Sequence, residues 1–374
     1  MDHRIVIIGA GKIGKAISKM LYNTSGYYVT LCDSSGLTIS TVNKVNRICH
    51  ATHHLTELSD FALDGLFMGK DSVLSACPYT ANYAIARAAL KNKISYFDLT
   101  EDRYTTAEIQ KMAQYSVPGQ IFMPQCGLAP GFIGILAYDL WKKFDVVHSL
   151  EMRVGALPLY PSNRLKYNLN WSTEGLINEY SNPSEAIVNG KKIDTIALDG
   201  LETMSIDGVE YEAFNTSGGL GTLCETLDTK VSNMNYKTLR YPGHKDLISF
   251  LLKDLNLGER GDNRKLLKEI FDTNIPGTDQ DTVIALAKIV GIKNGKLSEH
   301  TKLFKVNHQE ILGENWTAIQ ITTASGACVA IDLHVQGKLP TRGFVHQEDI
   351  SLDDFLNNQF GHFYQQGEQN GNNV

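Results

Sequence analysis

Gly9, Gly11 and Gly14 stand in the spacing G-x-G-x-x-G, between the β-branched run Arg4–Ile8 and a segment with Ile17, Met20 and Leu21 at helical spacing. A diphosphate needs backbone N–H donors, close approach and the positive end of a helix, and strand, glycine turn and helix supply all three. Gly9 permits the tight turn, Gly11 removes the Cβ that would block the phosphates, and Gly14 lets helix and strand pack closely. Lys12 and Ile13 open the helix and offer their N–H groups. Asp33 ends the next expected strand, 33 − 14 = 19 residues beyond the last glycine. A carboxylate there accepts the ribose 2′-OH and repels a 2′-phosphate, which argues for NAD over NADP without excluding the latter. Ser34 and Ser35 follow, with no arginine beside them. The competing readings are a glycine turn that binds nothing, a sheet that binds a different nucleotide, with a flavin the chemical rival, and Asp33 as a simple helix cap.

Hydride transfer asks little covalent help from a protein: a carbon bonded to oxygen or nitrogen must face the nicotinamide, with proton traffic nearby. The place to look is the carboxyl ends of the strands. Ala76-Cys77-Pro78-Tyr79 ends one, Asp98-Leu99-Thr100 another, and Cys126-Gly127-Leu128-Ala129-Pro130-Gly131 a third. Ala76 and Pro78 are expected beside the cofactor, and Tyr79, Gly127, Pro130 and Gly131 beside the substrate. Asp98 is the first candidate for managing a proton or holding a substrate amine, against a turn-capping role. Cys126 reads more readily as a packed thiol.

The elements that must position these residues alternate. Strands are expected at Arg4–Ile8, Tyr28–Cys32, near Arg47–Thr52, at Ser72–Ala76, Ile94–Asp98 and Gln120–Pro124, with helices at Ala81–Leu90 and about Thr105–Tyr115. Repeated strand and helix units of this length imply an α/β fold with a Rossmann-type, doubly wound parallel sheet. After Gln125 the rhythm changes. A helix is expected near Gly131, strands at Ser149–Gly155, Asp281–Val290 and Ala318–Thr323, and helices at His244–Leu255 and Arg264–Phe271, which suggests a second, α+β domain with a mostly antiparallel sheet. Asp349–Leu356 suits one helix, where the chain is expected to return to the first domain. The domains are then 1–125 plus about 340–374 for the dinucleotide, and 126–339 for substrate and dimerisation. Gly367–Val374 reads as a frayed tail.

Composition narrows the partners. The 374 residues suit two domains, and 43% hydrophobic with 20% charged residues is globular rather than disordered. A net charge of −6 offers no general attraction to nucleic acid or anionic lipid. No run approaches the roughly 18 consecutive apolar residues of a membrane span, and no room for a signal peptide precedes the first strand. Six scattered cysteines without a C-x-x-C pair suit a reducing, cytoplasmic compartment. His308-Gln309-Glu310 and His346-Gln347-Glu348 lack companions at metal-ligand spacing, and no metal is expected.

Gly9-Ala10-Gly11-x-x-Gly14, Ser75-Ala76-Cys77-Pro78-Tyr79, Tyr96-Phe97-Asp98-Leu99, Gly127-Leu128-Ala129-Pro130-Gly131, Leu165-Lys166-Tyr167 with Asn170-Trp171-Ser172, and Thr238-Leu239-Arg240-Tyr241-Pro242-Gly243-His244 together resemble the saccharopine dehydrogenase and saccharopine reductase family, lysine 6-dehydrogenases included. The likeness runs from Gly9 to about His244, and more loosely to Phe344. Cys77 stands where the family commonly has leucine, and the length is nearer lysine 6-dehydrogenase.

The resemblance implies a pyridine-nucleotide oxidoreductase acting on a C–N bond of an amino acid, and a homodimer. Such substrates carry several carboxylates and an amine, so the site needs fixed cations. Arg240 suits a bidentate carboxylate clamp, Lys166 a point-charge contact, and Trp171 a wall for a methylene chain; the competing roles are surface ion pairs and a core aromatic. His244 is the histidine to place near substrate, where its charge switch near neutral pH would serve proton transfer. The Thr216–Thr222 segment matches a family loop whose backbone donors would hold a carboxylate, or it is a plain turn. The leading expectation is saccharopine dehydrogenase-like chemistry. Its rivals are a lysine 6-dehydrogenase-like oxidative deaminase and a non-catalytic dinucleotide sensor.

Overall fold

The computed structural model describes residues 2–44, 48–259 and 261–365, and the backbone of 368–371. The chain divides into two compact units, Met1–Phe132 with Thr323–His362, and Ile133–Thr322 with Phe363–Val374. These borders differ from the 125 and 340 expected. The chain changes unit inside three continuous helices, Phe132–Trp141, Ala318–Val335 and His362–Gln365, so no polar linker marks any of the crossings.

Unit 1 is built on β1 (His3–Ile8), β2 (Tyr27–Asp33), β3 (Ala51–His54), β4 (Ser72–Ser75), β5 (Ser95–Asp98) and β6 (Ile121–Met123), with Gly343–Phe344 added beside β6. All pair in parallel, in the order Gly343–Phe344, β6, β5, β4, β1, β2, β3. This is the doubly wound arrangement, with its switch point between β1 and β4. The central strand is apolar from Ile5 to Ile8 because both faces are covered there: Ile5, Val6 and Ile7 are fully buried. On one face Val6, Ile8, Val73, Ile85, Ala89, Tyr96, Ile109 and Phe122 form a single core. β3 begins at Ala51, and the Arg47 end of the expected strand lies outside the described residues.

Unit 2 carries a mixed, mostly antiparallel sheet. Its path runs Glu202–Ile206, Val209–Phe214, Val231–Arg240, Val146–Pro158, Asp281–Lys293, Lys296–Asn307 and Glu368–Gly371. Only the step between Val231–Arg240 and Val146–Pro158 on this path is parallel. Asn294-Gly295, both at positive φ, makes the two-residue hairpin that returns the longest pair. Glu368–Gly371 pairs with Thr301–Phe304, so this part of the expected tail is an edge strand rather than frayed. Gly367 and Asn372–Val374 lie outside the described residues.

Ala318–Thr323 corrects a second expectation: its β-branched residues begin an 18-residue helix, Ala318–Val335. Thr317 Oγ1 accepts the Gln320 N–H, and Gln320 Oε1 accepts the Thr317 N–H, a reciprocal cap that starts the helix. By length and apolar composition this helix is able to cross a membrane, but 72% of it is buried inside the protein, as in a core helix. The Asp349–Leu356 helix starts later than expected, at Leu352, where Ser351 caps it by accepting the Asp354 N–H.

Candidate active site

In unit 1 the β1 loop turns at Gly9, whose φ is +105° and where a Cβ would meet the Ala76 carbonyl oxygen at 2.7 Å. A Cβ on Gly14 would lie 1.8 Å from the Gly9 carbonyl oxygen. The loop's own packing therefore demands these two glycines. Gly11 differs: its backbone is extended, and nothing lies within 4 Å of where its Cβ would stand. Helix α1 (Lys12–Tyr22) then opens without a side-chain cap, which leaves the Lys12 and Ile13 N–H groups for an outside acceptor. Asp33 closes β2 beside them. Its carboxylate accepts the Ala10 N–H at 2.7 Å and the Ser35 N–H at 2.8 Å, so it shapes the loop and keeps lone pairs for a ribose hydroxyl. An open approach, uncapped donors and a fixed carboxylate fit a dinucleotide.

The ends of β4, β5 and β6 serve structure more than expected. Ala76 packs against Gly9, Pro78 is exposed at the start of the helix Tyr79–Asn92, and Tyr79 is half-buried as its first residue. Asp98 has no exposed surface. It accepts from Tyr96 Oη at 2.7 Å, Asn82 Nδ2 at 3.2 Å and the Thr100 and Gln125 N–H groups at 2.9 Å. Burial raises its pKa, and these donors oppose the rise. In place of the proton handling expected, Asp98 braces β5 against β6 and the Tyr79–Asn92 helix. Cys126 is a packed thiol that donates to the Met123 carbonyl, with its pKa raised by burial. Gly127, Pro130 and Gly131 close a tight turn: Gly127 N–H donates to the Pro130 carbonyl, and a Cβ on Gly131 would strike the Gly127 carbonyl oxygen at 2.1 Å.

In unit 2 Arg240 is buried with its guanidinium over the rings of Tyr167 and Tyr180, 5.0 and 5.7 Å from their centres. Nε donates to Tyr180 Oη, and Nη1 donates to Thr238 Oγ1 and the Leu239 carbonyl, each at 2.8 Å. Among the described residues Nη2 has no acceptor. The bidentate clamp expected is therefore reduced to the two Nη2 protons, because Nε and Nη1 have spent theirs on the protein.

His244 completes the group. Nδ1 faces the Leu165 carbonyl at 2.8 Å, which only accepts, so Nδ1 carries the proton and Nε2 takes one from Tyr180 Oη at 3.0 Å. Donation runs in one direction, from Arg240 to Tyr180 to His244 to Leu165. Burial, helped by the Arg240 charge, pulls the imidazole pKa down to about 3. The charge switch near neutral pH is therefore absent, and His244 acts as a fixed acceptor. Glu212 holds the turn that carries it by accepting the Gly243 and Lys245 N–H groups.

Trp171 is half-buried, donates Nε1–H to Tyr167 Oη at 2.7 Å, and packs on Gly175. Lys166 is exposed, and its ammonium donates to the Pro242 carbonyl. In the Thr216–Thr222 loop the Ser217 and Gly221 N–H groups are spent on the Glu179 and Gly218 carbonyls, which leaves fewer donors for a carboxylate than expected. Sequence reasoning missed Tyr167 and Tyr180, since only the fold stacks them on Arg240.

Two family models match this chain. The saccharopine dehydrogenase NADP binding domain covers residues 5–119, and the saccharopine dehydrogenase C-terminal domain covers residues 127–362. The chain belongs to the saccharopine dehydrogenase family. It is thereby a member of a family of NAD(P)-dependent oxidoreductases acting on CH–NH donors. The alpha-aminoadipic semialdehyde synthase, mitochondrial, of Bos taurus is 22% identical over 261 residues, 67% of this chain and 28% of the relative. The saccharopine dehydrogenase [NADP(+), L-glutamate-forming] of Pyricularia oryzae is 22% identical over 266 residues, 66% of this chain and 56% of the relative. This chain thus spans a quarter to just over half the length of these relatives. In fold it is similar to saccharopine dehydrogenase (L-Glu forming) from Saccharomyces cerevisiae, with a TM-score of 0.76 at 15% identity over the whole of both chains. The homospermidine synthase of Legionella pneumophila in complex with NAD gives 0.73 at 11% identity, over 100% of this chain and 92% of that one.

Proposed function

We propose that this protein is a saccharopine dehydrogenase-like enzyme that oxidises or reduces the C–N bond of an amino-acid adduct and prefers NAD. The observation that carries the reading is the clear approach over Gly11, beside uncapped helix N–H groups, in a chain of this family. Gly9, Gly11, Lys12, Ile13 and Gly14 would seat the diphosphate, and Asp33 would take the ribose hydroxyl and repel a 2′-phosphate. When bound, the nicotinamide supplies the hydride acceptor or donor. Arg240, with its remaining Nη2 protons, binds a substrate carboxylate, and the Tyr180–His244 chain keeps the guanidinium aimed. Trp171 walls the carbon chain. The glutamate-forming chemistry of the fungal relative supports glutamate as one fragment of the adduct. The six free thiols support a reducing, cytoplasmic setting, and a homodimer that binds neither nucleic acid nor membrane belongs to the same proposal.

The test is to incubate the protein with NAD or NADP and with saccharopine or lysine, following absorbance of the reduced cofactor. Turnover of saccharopine, faster with NAD, is the expected result. Turnover of lysine alone replaces the reading with an oxidative deaminase. Cofactor binding without turnover of either removes the enzyme.

A further inference from the structure

Unit 2 holds a small recess whose lining includes Tyr167, Trp171, Asn168, Asn170, Asp281 and Ile319. Asp281 is only 2% exposed, and among the described residues no cation pairs with it. Its carboxylate accepts the Ala318 N–H at 2.6 Å, the Ile319 N–H at 3.3 Å and Asn170 Nδ2 at 3.4 Å. The first two open the helix Ala318–Val335, whose positive end supplies roughly half a unit charge. Burial raises the Asp281 pKa while these donors oppose the rise, and a cationic guest would favour the ionised form further.

Asn168 adds a second unmet need. It is 7% exposed, and its Nδ2 faces the Gly277 carbonyl at 3.2 Å, which sets the orientation of the amide. Its Oδ1 therefore lines the recess as a buried acceptor with no donor. A guest must be small, positively charged and able to donate several hydrogen bonds beside two aromatic rings. An ammonium group meets every condition, and a water molecule fails on charge. No group of three or more His, Cys, Asp or Glu stands together among the described residues, so a zinc-type metal has no ligand set there.

Arg240 lies on the face of the same Tyr167 ring, 5.0 Å from its centre. The Tyr167 hydroxyl feels the Arg240 and Asp281 charges in opposite senses. Tyr167 thus has a cation on its ring and a carboxylate in the recess it lines, a pair of charges that complements a zwitterion. We propose that the recess takes the ammonium of an amino-acid substrate whose carboxylate lies on Arg240, so that Asp281 with Asn168 reads one end of the head group and Arg240 the other. This rests on the reading of Arg240 as the carboxylate anchor.

Calorimetry on the full chain with L-glutamate and with glutarate, the same dicarboxylate without the ammonium, tests it. Glutamate is expected to bind at least about tenfold more tightly. Asp281→Asn keeps an acceptor for the Ala318 N–H while removing the charge, and Asn168→Leu removes the acceptor at similar volume. Each should bring the preference for glutamate towards one, and Arg240→Gln should weaken both probes. Equal binding of the two probes to the unaltered protein, or a preference that survives in both variants, overturns the proposal. Turnover of saccharopine, measured alongside, separates the two readings. Turnover with equal probe binding sinks the recess alone. A preference abolished in both variants without turnover of any amino-acid adduct sinks the enzyme alone. Binding of neither probe sinks the recess, and sinks the enzyme as well if no amino-acid adduct is turned over.

Discussion

The three glycines of the β1 loop look alike in sequence and differ in what surrounds them. Gly14 has the Gly9 carbonyl where a methyl would go, whereas Gly11 has extended backbone and open space. Gly14→Ala should therefore cost roughly 1–3 kcal/mol or more through overpacking. Gly11→Val should leave stability nearly unchanged and abolish cofactor binding. Urea denaturation paired with NAD titration separates these effects, and a large loss of stability in Gly11→Val would refute the assignment of the approach side. The same contrast between residue type and surroundings applies to acids and bases. Asp98 and His244 have the chemistry for proton transfer, yet one is saturated with donors and the other is held neutral by burial and a guanidinium.

At the scale of elements, the helix Ala318–Val335 shows how far local pattern carries. Its first turn, Ala-Ile-Gln-Ile-Thr-Thr, has β-branched residues at strand-like spacing, but Thr317 and Gln320 form a reciprocal cap that is readable as T-x-x-Q. Asp281 adds two more acceptors to the same helix end. Thr317→Ala should cost about 1 kcal/mol, read as a lowered urea midpoint, while Thr317→Ser should retain most of it. A loss as small as that of an exposed surface substitution would show that Asp281 alone starts the helix. Farther along, Gly326 lets the helix approach the Gly127 carbonyl, where a Cβ would stand 2.6 Å from the oxygen. The glycines of this neighbourhood thus serve the fit of backbone to backbone.

At the scale of the molecule, acid stability depends on imidazoles that burial keeps neutral. His334 in unit 1 has its pKa pulled down to about 4, by burial first and then by His3, which is itself lowered. The unfolded chain binds these protons more readily than the folded one. The contribution is therefore complete above about pH 6.5 and is lost as pH falls towards 4, with a ceiling of about 3 kcal/mol for His334. Urea midpoints at pH 7.5 and 5 should differ in that sense, and His334→Gln should shrink the difference while the His244 share remains. A midpoint that rises on acidification would contradict the assignment.

Much of this molecule was readable from the chain alone. The strand and helix alternation of unit 1, the glycine fingerprint and Asp33 depend on steric and hydrogen-bonding needs that act within a few residues or one βαβ unit, and such needs are written locally. The mostly antiparallel second sheet was legible for the same reason, from strand runs such as Asp281–Val290. Only the tertiary structure decided what the polar residues do. Asp98 became a brace, Arg240 lost its clamp, His244 became an acceptor, and Asp281, which sequence analysis passed over as a strand terminus, became a buried charge at a helix end. A polar side chain's role follows from its solvation and from the partners that meet it, and decisive partners such as Gln125, Leu165 and Ala318 come from residues tens of positions away.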